Sequence, residues 1–266
     1  PAVAGVFYPS EPAALDALVD ELLAGTPDAP RVHCPVVMVP HAGLRYSGRI
    51  AARVFQQIVI PDRVIVLAPK HSRQGTPWSV APHDNWAIPG HVVPSDPELA
   101  RRLAAAIPGL QLDAAAHQDE HAIEVQLPVL ARLAPAAAVV GIIIGDGDLE
   151  HCQQFGRLLA DFLRAEDPQP LLVISSDLNH YAPIDENRRL DRLALDAIRT
   201  CDPAQLYATV RDQDISMCGL LPAVVALEAL RRLGPRTACR EVAYATSADA
   251  GGSRDRVVGY AGLLWG

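Results

Sequence analysis

Three stretches constrain the fold most: "VVMVPHAGLRYSG" (36–48), "VIVLAPKHSRQG" (64–75) and "LLVISSDLNHY" (171–181). Each opens as an unbroken apolar run, largely β-branched, and then turns polar around a histidine. Strands without polar alternation belong in parallel sheets covered on both faces. In an open sheet of that kind, ligands bind outside the carboxyl ends of the strands. His41, His71, Asp177 and His180 all follow such ends within a few residues. They are therefore expected along one edge of the sheet, although they are far apart in the chain.

The sequence between these runs supplies the covering layers. Apolar spacing predicts helices over about 11–24 (with Ser10 as N-cap and Pro12 in the first turn), 48–58, 97–107, 119–133, 149–164, 185–200, 203–211 and 219–233. Further strands are expected at "RVIVLAP" (63–69), "AVVGIIIG" (138–145) and "LLVIS" (171–175), and "CPVVMV" (34–39) extends the first run. The tail reads as two strands, "CREVAYATSA" and "RVVGYAGLLW", joined by "DAGGSRD" and able to pair antiparallel. Alternating strands and helices predict an α/β three-layer sandwich with a largely parallel, doubly wound sheet. Residues 72–96 are irregular, with a hairpin expected around "WSVAPHDNWAIPG", and such a segment often forms an active-site wall or lid. With neither linker nor repeat in view, residues 1–266 are read as one domain.

Composition narrows the partners. A net charge of −8 argues against a nucleic-acid binder. The longest apolar run, "AAAVVGIIIG" (136–145), is too short to span a bilayer, and "PAVAGVFYPS" lacks the features of a secretory signal. A cytoplasmic location without a membrane partner is the expectation. Five cysteines without a CxxC pair point to reduced thiols. "GIIIGDGD" is not followed by GK[ST], so no nucleotide loop is expected, and no GxSxG elbow is present.

Two more segments carry chemistry. In "DISMCGLLPAVVALEALRRL", Cys218 stands just ahead of a helix, whose dipole favours the thiolate that binds a metal or attacks an electrophile. Packing as a small apolar residue is the bland alternative. In "AHQDEHAIEVQLPVL", a continuous helix would stack His117 on His121 and Glu120 on Glu124, in an order unlike the HExxH of metalloproteases. His121 and Glu124 are read as groups that orient a ligand or substrate, as are Tyr46 and Tyr181; His117 is read as a cap or surface residue. His33, His83, His91 and His151 lack strand-end placement and are read as loop or surface residues.

Taken in order, "PAVAGVFYP", "PHAGLRYSG", "APKH", "EHAIEVQLPVL", "SSDLNHY", "CGLLP" and "VVGYAG" resemble the Memo-like family, which includes the bacterial and archaeal AmmeMemoRadiSam system protein B. The resemblance covers nearly the whole chain. It implies a fold similar to the LigB-type class III extradiol dioxygenases, which hold non-haem Fe(II) with two histidines and a carboxylate. By the same resemblance His41, His71 and Cys218 match the metal site, and Asp177 and His180 match a nearby polar pair. Three positions depart from the family pattern: Lys70 replaces Ser or Asn, Leu220 replaces Arg, and Ala122 replaces Ser. A lysine at position 70 repels a cation unless its side chain turns away. Loss of the arginine weakens capture of an anionic substrate there.

The resemblance implies a metal-dependent, dioxygenase-like oxidoreductase acting on a small-molecule substrate. Fe(II) or Cu would be held by His41, His71 and Cys218, with Zn also compatible with a softened His/His/Cys set. His180, oriented by Asp177, would move protons. Two other readings stay open. One is an accessory partner of AMMECR-type and radical SAM proteins; the other is a metal-independent thiol enzyme with Cys218 as nucleophile.

Overall fold

The computed structural model describes residues 1–25, 30–234 and 238–266. Its elements, in chain order, are α1 (Pro12–Leu22), β1 (Val36–Val39), α2 (Leu44–Gln56), β2 (Arg63–Pro69), β3 (Trp78–Val80), β4 (Asn85–Ile88), β5 (His91–Pro94) and α3 (Pro97–Ala106). There follow β6 (Gln111–Leu112), α4 (His121–Glu124), α5 (Leu127–Leu133), β7 (Ala138–Ile144), α6 (Leu149–Arg164), β8 (Leu171–Ser175) and β9 (His180–Ala182). The chain closes with α7 (Ile184–Arg199), α8 (Pro203–Asp212), α9 (Leu220–Leu233), β10 (Cys239–Thr246) and β11 (Val257–Trp265).

The main sheet runs β10-β11-β1-β8-β2-β7-β3-β6, and β9 pairs with β11. Its centre, β1-β8-β2-β7, is parallel throughout. Antiparallel strands border it on both sides, β11 against β1 and β3 against β7. β10 and β11 pair antiparallel as the tail sequence suggested.

Why the central strands are apolar on both faces, with polar residues only at their ends (Arg63, Ser175), follows from the two cores. Val36, Met38, Ile65, Leu67, Leu172 and Ile174 face one layer, with α3, α6, α7, α8 and α9. Their neighbours Val37, Val39, Val64, Val66, Leu171 and Val173 face the other, with α1, α2, α4 and α5. A strand buried on both sides has no solvent face on which to place polar residues. The result is the expected three-layer α/β sandwich.

Three local expectations are corrected. The helix foreseen at 48–58 begins at Leu44, because Ser47-Gly48 is not a turn. Gly48 instead permits close packing of α2: a Cβ there would lie 2.7 Å from Leu22 Cδ1. The helix foreseen at 119–133 is two pieces, α4 and α5, separated at Val125-Gln126. Pro128 lacks an N–H and crowds the preceding turn, so it starts a new helix more readily than it continues one. Finally, Trp78–Val80 joins the main sheet, and the hairpin within 72–96 is formed by β4 and β5. Ile88 and Val93 of that hairpin are buried in the core.

Candidate metal centre

β1, β8 and β2 are adjacent, and each sends a functional residue two positions past its last strand residue: His41, Asp177 and His71. α4 lies against this edge and contributes His121, its first residue. One nitrogen from each of His41, His71 and His121 lies within 4.8 Å of the others. The rings of His71 and His121 stack at 4.5 Å, and His41 stands edge-on to both. His121 therefore belongs with His41 and His71 in the cluster itself, where sequence reasoning had placed it as an orienting group.

Hydrogen bonds settle which nitrogens remain free. The Ser175 hydroxyl donates to Ala122 O (2.6 Å) and accepts from Gln126 Nε2 (3.0 Å). With its one proton committed, it accepts from His41 Nδ1 at 2.9 Å, so His41 presents a bare Nε2. His71 Nδ1 donates to Glu120 Oε1 at 2.8 Å, which leaves its Nε2 free as well. This is the arrangement of a ligating histidine, whose second nitrogen is tied to an oxygen. His41 is buried, while His71 and His121 keep 34% and 19% of their side chains exposed, so the cluster opens to solvent on the His71 side.

Cys218 stands at the other side of His41, with Sγ 3.2 Å from His41 Nε2. It reaches that position because Gly219 packs on the β8 turn; a Cβ at Gly219 would lie 2.3 Å from Ser176 Cβ. The residue keeps some surface, yet its sulfur is enclosed by His41, Asp177 and Ser176. Burial and the nearby Asp177 carboxylate push the thiol upward, and this outweighs the helix terminus that was expected to favour thiolate. Only a cation can reverse that balance, because a buried anion needs a compensating charge.

Burial and mutual repulsion keep the His41 and His121 imidazoles of the cluster neutral. Burial and its histidine neighbours hold His41 well below its ordinary range, and the same two causes lower His121 to about 4. Both imidazoles are thus neutral lone-pair donors near neutral pH. Burial alone would raise Glu120, but hydrogen bonds from the His71 ring and backbone and from Ala122 bring it down to about 2. Burial raises Asp177 to about 6 against the pull of the His41 and Ala42 amides.

Several residues take different partners from those foreseen. Asp177 Oδ1 accepts from His41 N at 2.8 Å, so it shapes the His41 turn. His180 is oriented by Ser216, whose O accepts from its Nδ1 and whose Oγ accepts from its N, both at 2.8 Å. Glu124 binds the backbone of Ala2 and Val3 and the Tyr8 hydroxyl, away from the histidine cluster. Glu120, which sequence reasoning had left without a role, is the carboxylate that holds His71. A Glu directly ahead of a helix start, as an N-cap accepting from Ala122 N, was the available signal.

Lys70 turns away from the cluster: its Nζ donates to Ser72 Oγ and to the Gln74 carbonyl. Tyr181 is 63% exposed, has φ of +65°, and lies with its ring 5.6 Å from that of His180. Tyr46 is half-buried beneath Arg45. His117 is buried, contrary to expectation, with Nε2 3.3 Å from Ser79 Oγ; burial lowers it to about 3. A cavity of about 710 Å³ lies at the opposite end of the strands, lined by Cys34, Pro35, Ile60, Leu171 and Leu233 among others. His33 and Asp62 line it as well, but among the described residues the group whose donor atoms converge closely enough for an ion is His41, His71 and His121.

Comparison with known proteins agrees over the full length. The family model described as Memo-like protein matches residues 1–264. A MEMO1 family protein of Aquifex aeolicus is 38% identical over 266 residues, covering 100% of this chain and 98% of that one. A Methanopyrus kandleri MEMO1 family protein is 30% identical over 277 residues, with 100% and 98% coverage. Among solved structures, an uncharacterized Escherichia coli K12 protein aligns with a TM-score of 0.63 at 16% identity, covering 88% of this chain and 100% of that one. That likeness concerns the fold.

Proposed function

The chain belongs to the Memo-like protein family, and on that premise we propose that it is a metal-binding, oxidoreductase-like protein. Its ion would be held by His41, His71 and His121; Cys218, which lies outside that 4.8 Å group but 3.2 Å from His41 Nε2, would move in as the sulfur donor. The observation that carries the reading is the convergence of three imidazole nitrogens within 4.8 Å, with the second nitrogens of His41 and His71 engaged by Ser175 and Glu120. Lys70, whose ammonium is drawn to Ser72 and Gln74, leaves the cluster free of an opposing charge.

The donor chemistry favours Fe(II), Cu or Zn, since imidazole and thiolate suit these ions better than Mg or Ca. When bound, such an ion supplies Lewis-acid or redox chemistry. The chain's own residues would do the rest. The exposed side of His71 admits a small-molecule substrate, and the Ser216 carbonyl fixes the His180 tautomer so that Nε2 accepts or returns a proton. Asp177 keeps the His41 turn in place through the His41 amide.

A metal-independent thiol enzyme fits less well, because the Cys218 environment disfavours thiolate in the absence of a cation. An accessory role beside AMMECR-type and radical SAM proteins would use the same site. The test is metal content after anaerobic reconstitution with Fe(II), Cu(I) and Zn in turn. The reading expects about one ion per chain for at least one metal, and loss of that ion in His41→Ala and His71→Ala. A wild-type protein that stays empty with all three ions overturns it.

A further inference from the structure

Residues 2–8 lie across the histidine edge and touch both segments that carry its inner members. The Phe7 carbonyl accepts from the amide of Leu44, three residues after His41. The Phe7 ring sits 4.8 Å from the His121 ring, tilted by 59°. Glu124, at the far end of the helix that His121 starts, accepts from Ala2 N at 2.6 Å, from Val3 N at 3.1 Å and from the Tyr8 hydroxyl. Burial and the Glu124 carboxylate raise the Tyr8 phenol, so it remains a donor. Within the segment, Gly5 N donates to Tyr8 O, while Val6 N and Phe7 N donate to Val3 O, which makes a compact loop. Val6 at its tip is 80% exposed.

α4 is a single turn, too short to hold its own orientation. Its two ends are fixed from outside: Glu120 is held by His71, and Glu124 by the N-terminal segment. A ligand on so short a helix is only as well placed as those two anchors.

Building on the metal-binding reading above, we propose that residues 2–8 form a positioning strap of the metal centre. Phe7 sets the plane of the His121 ring, and the Glu124 clamp ties the His121 turn to the His41 turn. Phe7 and Glu124 are positioning residues: they act through His121.

The test uses the full chain with Co(II) as probe. Phe7→Ala is expected to weaken Co(II) binding about tenfold and to alter the visible d–d bands, because losses of this kind follow removal of groups that orient a ligand. Phe7→Tyr, which keeps the ring, should restore both. Glu124→Gln should move affinity in the same direction as Phe7→Ala while leaving the core intact, and it carries the test should Phe7→Ala fail to fold. Val92→Ala, at an exposed position of the β4–β5 hairpin outside the strap, should leave both readouts unchanged. Co(II) affinity within twofold of wild type and unchanged bands in both Phe7→Ala and Glu124→Gln overturn the proposal.

A second readout needs no metal. In the metal-free protein, the His121 Cε1–H resonance should carry a ring-current shift that Phe7→Ala abolishes and Phe7→Tyr retains. A wild-type protein that binds no Co(II) contradicts the metal reading alone; an unchanged His121 resonance in Phe7→Ala then contradicts the strap.

Discussion

Cys218 Sγ lies 3.2 Å from Nε2 of His41, the one nitrogen of that ring that Ser175 leaves free. Residues 177 positions apart in sequence thus present a thiol and an imidazole lone pair to each other. Without a cation the contact is a weak S–H donor bond. Under the metal-binding reading, a bound cation would make both atoms ligands, and the proton would leave the sulfur.

Cys218→Ser should therefore separate soft from borderline ions. Affinity for Cu(I) is expected to fall at least about tenfold more than affinity for Zn, since serine keeps the size but not the softness. Competition against a chromophoric chelator measures both.

Glu120→Gln tests the anchor of His71. The carboxylate accepts from the His71 ring, from the amides of His71 and Ser72, and from Ala122 N, and an amide turns one of its oxygens into a donor facing donors. Metal affinity should drop about 10–100-fold. Chemical denaturation of the metal-free protein should show a loss of about 1–3 kcal/mol.

Gly219→Ala should be costly for a reason unrelated to helix propensity. Its Cβ would collide with Ser176 at 2.3 Å and with the Ser175 carbonyl at 2.9 Å. Overpacking of this kind costs about 1–3 kcal/mol. The melting temperature should fall, and because the displaced turn also carries Cys218, the Cu(I) affinity should fall with it.

Asp191 gives a pH signature beneath His180. It is fully buried and accepts from Asn179 N, Asn187 Nδ2 and Tyr244 OH, yet burial still raises it from 3.8 to about 6. Between those values the native state binds more protons than the unfolded chain, so this group's contribution to stability falls as pH rises. The stability of wild type minus that of Asp191→Asn should decline between pH 4 and 7 by on the order of 1–3 kcal/mol. A difference that is flat or rises over that range contradicts the assignment.

Much of the architecture could be read from the residues because double burial leaves a plain mark. "RVIVLAP" and "LLVIS" coincide with β2 and β8, and "LEHCQQFGRLLADFLR" spans α6. The strand-end rule brought His41, His71 and Asp177 together for the same reason. What escaped depends on long-range contacts. Helical stacking in "DEHAIE" pointed to Glu124 rather than Glu120, whereas the N-cap position of Glu120 and the position of the N-terminal segment send Glu120 to His71 and Glu124 to Ala2. The partner of His180 is the backbone carbonyl of Ser216, and a carbonyl has no sequence signature. The turning of Lys70 depends on where Gln74 places its carbonyl, which is a loop geometry no periodicity encodes.

The most direct measurement is anomalous diffraction from crystals of the reconstituted protein, collected at the absorption edge of the ion it retains. The account predicts one peak per chain, within bonding distance of nitrogens of His41, His71 and His121 and of Cys218 Sγ. A peak at any other place, or none at this cluster in protein shown to be folded and exposed to Fe(II), Cu(I) and Zn, would contradict it.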